Sequence, residues 1–146
     1  MFESILLPTD GSACSLRAAE YCADIAKKYG SNVTVLYVAE LPPVIGPPPS
    51  EEKQMDMRLE LSRHGRAALE AAREVLEMVD IDPREELVFG SAVPDILQYA
   101  REGSYGLIVI GSRGAGTGAI GQILIGSVAE GILHGAPCPV LMVRPS

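Results

Sequence analysis

Six of the chain's 15 glycines fall between Ile110 and Ser127, at Gly111, Gly114, Gly116, Gly118, Gly121 and Gly126. Glycine loses more conformational freedom on folding than any other residue. Such density is therefore costly unless backbone must approach another group closely or adopt positive φ angles. The stretch follows an uncharged apolar run and ends at Gly126-Ser127, where a helical pattern opens. A helix start carries unpaired N–H groups and the positive end of the helix dipole, and both attract an anion. Ser127 adds a hydroxyl. A phosphate group would satisfy all these donors together. Arg113 is the only lysine or arginine between Glu102 and Arg144, so main-chain amides would do most of the holding. The bland alternative is a surface loop without a ligand.

Asp10, just after the first apolar run, has two roles open to it. It suits the turn or cap ahead of a helix, or it binds a ribose or a divalent ion beside phosphates. Two other patterns lead elsewhere. Gly116-Thr-Gly118-Ala-Ile-Gly121 matches the dinucleotide fingerprint, but it lies several residues past its strand and in the C-terminal half of the chain. No GxxxxGK[ST] motif occurs, which excludes a P-loop. Neither histidine has a catalytic setting: His64 falls on the polar side of a long helix, and His134 closes a helix, where it favours the dipole. Cys14, Cys22 and Cys138 form no CxxC pair and read as packed thiols of a reducing compartment, with partial exposure of Cys14 left open.

The elements that would position these groups alternate. Ser4–Pro8 reads as a buried strand. A helix follows with apolar positions from Cys14 to Tyr29, Lys27 and Lys28 in its last turn and Gly30 as its stop. Asn32–Val38 is a β-branched strand. Leu41–Ser50 holds five prolines and is a loop, its 42–49 segment either a lid or a dimer contact. Ser50 caps a long helix to about Met78, with Met55, Leu59, Leu69, Ala72, Val75 and Leu76 near one face. Glu85–Phe89 is a third strand, Val93–Ala100 a helix ending at Gly103, and Tyr105–Ile110 a fourth strand. Ser127–His134 is a helix and Val140–Val143 a fifth strand. This order, with strands that do not alternate polar and apolar residues, predicts one α/β domain over residues 1–146. Its core would be a doubly wound five-stranded parallel sheet with helices on both faces. Ligands of such sheets bind beyond the carboxyl ends of the strands, where strand order reverses.

At 146 residues the chain is long enough for a core without staples. Its net charge of −7 speaks against nucleic acid and anionic membranes, which demand a basic face. No run approaches the roughly 20 apolar residues of a membrane helix. The acidic start, Met1-Phe-Glu3, is unlike a signal peptide, so a cytoplasmic protein is expected.

Taken together, Ile5–Ser12, Leu87–Pro94, Gly111–Gly114, Gly126–Glu130 and Cys138–Val143 resemble the universal stress protein family along nearly the whole chain. The resemblance implies an adenine nucleotide alpha hydrolase-like fold. It also implies a stress-response protein that holds ATP, with Mg2+ or Mn2+, without turning it over rapidly. Its phosphate signature maps onto Gly111, Gly114, Gly126 and Ser127. It implies adenosine and ribose contacts from Pro8, Thr9 and Asp10, adenine beside Val38, and phosphates near Val128, with Arg113 as the cation that the loop itself supplies. A homodimer through the fifth strand is also implied, in keeping with an exposed sheet edge that seeks pairing. In one respect the sequence departs: eleven residues separate Gly114 from Gly126, where the family usually has nine. Loop closure costs about 0.6 kcal/mol per doubling of length, so the site should survive. A slow ATPase or phosphotransferase, or a nucleotide-free scaffold, are the other functions to weigh.

Overall fold

Ile5, Leu6 and Leu7 are successive residues of β1 (Ser4–Pro8), and all three are fully buried. Neighbouring side chains of a strand point to opposite faces, so both faces of β1 are covered, as the lack of alternation required. The computed structural model describes residues 1–114 and 125–146. It places β1 at the centre of a five-stranded sheet of order β3-β2-β1-β4-β5. The other strands are β2 (Asn32–Ala39), β3 (Arg84–Phe89), β4 (Leu107–Gly111) and β5 (Val140–Val143), and every pairing is parallel. The chain winds outward from β1 to β3, then crosses back to β4 on the other side of β1. Strand order therefore reverses between β1 and β4.

Helices α1 (Ala13–Tyr29) and α2 (Glu51–Glu77) cover one face, burying Ile5, Leu7, Val35 and Val109. Helices α3 (Ala92–Glu102) and α4 (Ser127–Gly135) cover the other, over Leu6, Leu36, Ile108 and Ile110. The ends of α1 are made as its residues require. Ser12 is the N-cap and accepts from the Ser15 N–H at 3.2 Å, while Gly30 closes the helix at φ 65°, a left-handed angle that glycine takes without strain.

Three details differ from the sequence reading, and one alternative it left open, an exposed Cys14, is closed. The strand β4 starts at Leu107, because Gly106 instead turns the chain, its N–H donating to Ser4 O beside the Met1 carbonyl. Small boundary shifts add Arg84 to β3 and Ala92 to α3. Cys14 is buried, its thiol donating to Val143 O at 3.3 Å, so it is not a surface thiol. The largest difference is in α2, where Met55 and Leu59 are 60% and 50% exposed and do not join the core. The reason is length. A helix of 27 residues spans about 40 Å, whereas the eight residues of β2 span about 26 Å. The C-terminal part of α2 lies on the sheet, and its first buried residue is Gly65.

Burial pushes the Cys22 thiol up from 9.0 to about 12. The folded protein thus keeps this proton where the unfolded chain releases it. Its contribution is fully present below pH 9 and is lost as pH rises from 9 toward 12. Stability should fall there by about 1.4 kcal/mol per pH unit from this group. Urea midpoints between pH 8 and 11 should drop less steeply in Cys22→Ala; equal slopes would refute the assignment.

Candidate functional site

At the carboxyl ends of β1 and β4 the sheet opens into a cavity of about 520 Å³, within the usual range for small-molecule sites. Its wall on the α3 side is apolar: Leu36 and Val38 from β2, Ile110 from β4, and Ala92 and Ile96 from α3. These positions follow from two periods. Leu36 and Val38 are two apart on a strand, and Ala92 and Ile96 are four apart on a helix, so each pair shares a face. The opposite side is polar and largely main chain, with Gly111–Gly114 after β4 and Gly126–Ala129 at the start of α4. All ten residues expected from the sequence line this one cavity: Pro8, Thr9, Asp10, Val38, Gly111, Arg113, Gly114, Gly126, Ser127 and Val128. Among the described lining residues, Asp10 is the one carboxylate and Arg113 the one cation.

The turn after β1 is held by its own hydroxyls. The Thr9 N–H donates to Leu36 O at 2.9 Å, which carries the β1–β2 ladder one step past the strand. Thr9 Oγ1 is buried, donates to Ser15 Oγ at 3.1 Å and accepts from the Gly11 N–H at 3.2 Å. Ser15 Oγ in turn donates to Ser12 O at 2.8 Å. Asp10 Oδ1 accepts from the Ser12 N–H at 2.9 Å, so the carboxylate braces the turn while Ser12 caps the helix. The second oxygen, Oδ2, lies where a Cβ on Gly114 would come within 2.8 Å. Gly114 therefore permits the close approach of the two loops. Burial and the Asp10 charge together push the Tyr37 phenol up.

Gly111 serves packing. A Cβ there would stand 3.0 Å from the Cys14 carbonyl carbon and from its Sγ, so glycine lets the end of β4 press against the first turn of α1. Gly126 is the N-cap of α4 and is buried, with ordinary extended angles (φ −62°, ψ 154°). Its N–H donates to Ser112 O at 2.6 Å, while the Ser112 N–H donates to Val143 O at 2.8 Å. Two helix starts thus reach the cavity, and they differ. At α3 the Ala92 N–H donates to Glu40 Oε1 at 2.5 Å and the Ser91 N–H to Asp95 Oδ2 at 2.8 Å, so two carboxylates already occupy it. At α4 the N-cap is Gly126, which has no side chain, and among the described residues no side chain bonds to the amides of the first turn. The first-turn amides of a helix have no partner within it. The dinucleotide-like Gly116–Gly121 segment lies outside the described residues.

The sequence pattern of the universal stress protein family matches residues 1–144. This chain belongs to the universal stress protein family. A universal stress protein of Thermus aquaticus is 37% identical over 147 residues, covering 99% of this chain and all of the relative. One from Methanocaldococcus jannaschii is 34% identical over 144 residues, covering 99% and 83%. The solved universal stress protein UspA of Lactobacillus plantarum superposes with a TM-score of 0.81 at 25% identity, covering 98% of both chains. Two further family structures were solved with a nucleotide. One is in complex with cAMP (TM-score 0.72, 24% identity, 99% and 98% covered), and one from Archaeoglobus fulgidus is in complex with dAMP (0.66, 24%, 98% and 99%).

In this universal stress protein, sequence reasoning passed over several lining residues. Leu36 and Ile110 are signalled by strand alternation, and Ala92, Ile96 and Ala129 by helical spacing. Ser15 and Ser112 carry no such signal, since a small polar residue near a turn is common. The anchoring of α3 by Glu40 was equally invisible, because residues 52 apart in sequence meet only after folding.

Proposed function

We propose that this universal stress protein holds an adenine nucleotide, ATP in the favoured case, as a regulatory ligand. The carrying observation is the contrast between the two helix starts at opposite sides of one cavity: one is filled by carboxylates, and the other, with glycine as its N-cap, receives no side-chain bond from the described residues. An anionic tail is favoured at α4, with Gly111, Gly114, Gly126, Ser127 and Val128 supplying amides and a hydroxyl, and Arg113 adding charge. An aromatic base suits the apolar wall by Val38, with Pro8, Thr9 and Asp10 toward the sugar. The nucleotide-bound relatives support the same ligand class. Mg2+ or Mn2+ would be carried mainly by the phosphates with help from Asp10. No cluster of three His, Cys, Asp or Glu suited to a metal occurs among the described residues.

ATP occupancy would then alter shape or partner choice. A homodimer through β5 accompanies this reading, since β5 is the last strand of the sheet and its outer edge is open to pairing. To test it, the purified protein is denatured and released nucleotide identified by chromatography. ATP added with Mg2+ or Mn2+ is then followed for hours. Bound, uncleaved ATP is expected. Steady ADP production would favour a slow ATPase or phosphotransferase, and absence of binding at millimolar ATP would leave a nucleotide-free scaffold.

A further inference from the structure

The first fourteen residues of α2 bury no side chain fully, although they extend for about 21 Å. Helices draw most of their stability from packing an apolar face, and here that packing is thin: Met57, Leu61 and Ser62 are half-buried and Arg58 lies over the Phe89 ring, while the remaining side chains are exposed. The outward face has a defined composition. At about 100° per residue, Glu52, Met55, Asp56, Leu59, Arg63 and Arg66 fall within an arc of about 100°, centred about 130° from the buried residues Gly65, Ala68, Leu69, Ala72 and Leu76. All six are exposed. The two apolar side chains sit in the middle, the acids lie toward the N-terminus and the arginines toward the C-terminus. None of the four charges is in an ion pair among the described residues.

Such a face is complementary to itself when reversed. We infer that the N-terminal half of α2 pairs antiparallel with the same segment of a second copy, about a two-fold axis near Leu59. Met55 and Leu59 of both copies then cover one another, and Glu52 and Asp56 of each lie by Arg63 and Arg66 of its partner. A two-fold contact forms each charge pair twice, which is how one chain makes an isologous interface. A parallel arrangement would oppose like charges and is disfavoured. The packing removes Met55 and Leu59 from water and fixes the overhanging turns. α2 lies over β2 and β3, remote from β5, so this contact is independent of any pairing at the β5 edge.

Sedimentation equilibrium of the full chain tests the inference by charge swapping. Glu52→Arg and Arg66→Glu should each halve the average mass at a concentration where the wild type self-associates, and the double variant should restore it. Pairing through β5 would raise the mass of every variant alike and leaves the comparison intact. On a Cys138→Ser background, Leu59→Cys should give a disulfide-linked dimer under mild oxidation, while Glu20→Cys on α1 should not. Equal masses for the wild type and both single variants, or a double variant that fails to recover, would overturn the antiparallel pairing. So would crosslinking of the two cysteine variants to the same extent.

Discussion

Gly126→Val should weaken ATP binding roughly 100-fold, about 2.8 kcal/mol, while leaving the protein folded. The backbone at Gly126 has ordinary angles, so a side chain costs no strain there. A Cβ would rest 3.4 Å from Ser112 O and 3.5 Å from the Arg113 Cα, close but tolerable contacts. The two γ-methyls of valine have no such room. They must point into the cavity or press on residues 112–114, the stretch proposed to cradle the phosphates. Gly126→Ala stops at the Cβ and should lose less than tenfold. Calorimetric titration with ATP and thermal unfolding of both variants provide the check. Valine binding as well as wild type would place the ligand elsewhere. A collapse in stability for alanine would mean that the glycine serves packing alone.

The second large effect concerns stability and reverses an expectation from propensity. Gly65 lies inside α2, where replacing glycine by alanine normally stabilises by about 1 kcal/mol. Here a Cβ would fall 2.5 Å from Leu87 Cδ1 and 2.7 Å from Tyr37 Cδ1, so α2 sits on the sheet with no space for a methyl group. Overpacking of this kind costs about 1–3 kcal/mol, which cancels or exceeds the propensity gain. Gly65→Ala should therefore be neutral to destabilising, and Gly65→Leu should lose about 3 kcal/mol or more. For a chain of this size that lowers the melting temperature by about 6–12 °C. Calorimetry distinguishes the two forces: a raised melting temperature for Gly65→Ala would mean that the helix does not approach the sheet this closely.

These cases mark where sequence reading succeeded and where it stopped. Strand β1 was legible because a short apolar run closed by Pro8, too short for a helix, fits a strand covered on both faces. The cavity was legible because the rule for parallel sheets names the ends of the strands, and a glycine-rich run lies at one of them. The roles of individual glycines were not. Gly111 answers to the Cys14 backbone, Gly114 to the Asp10 carboxylate and Gly65 to Leu87 and Tyr37. Met55 and Leu59 misled because helical spacing reports which residues share a face, while burial depends on whether a neighbour reaches that far along the helix.

The order and type of elements, the stop of α1 at Gly30, and a glycine-rich run placed at the carboxyl end of the sheet were determined by the amino-acid sequence alone. Those signals are local: a period, a turn chemistry, a stop. Only the tertiary structure decided that Glu40 fills the start of α3 while none of the described side chains bonds to the start of α4, and that half of α2 overhangs the sheet. The physical reason is that such contacts join segments distant in the chain. Their distances depend on strand order and relative element lengths, which no short window of sequence contains.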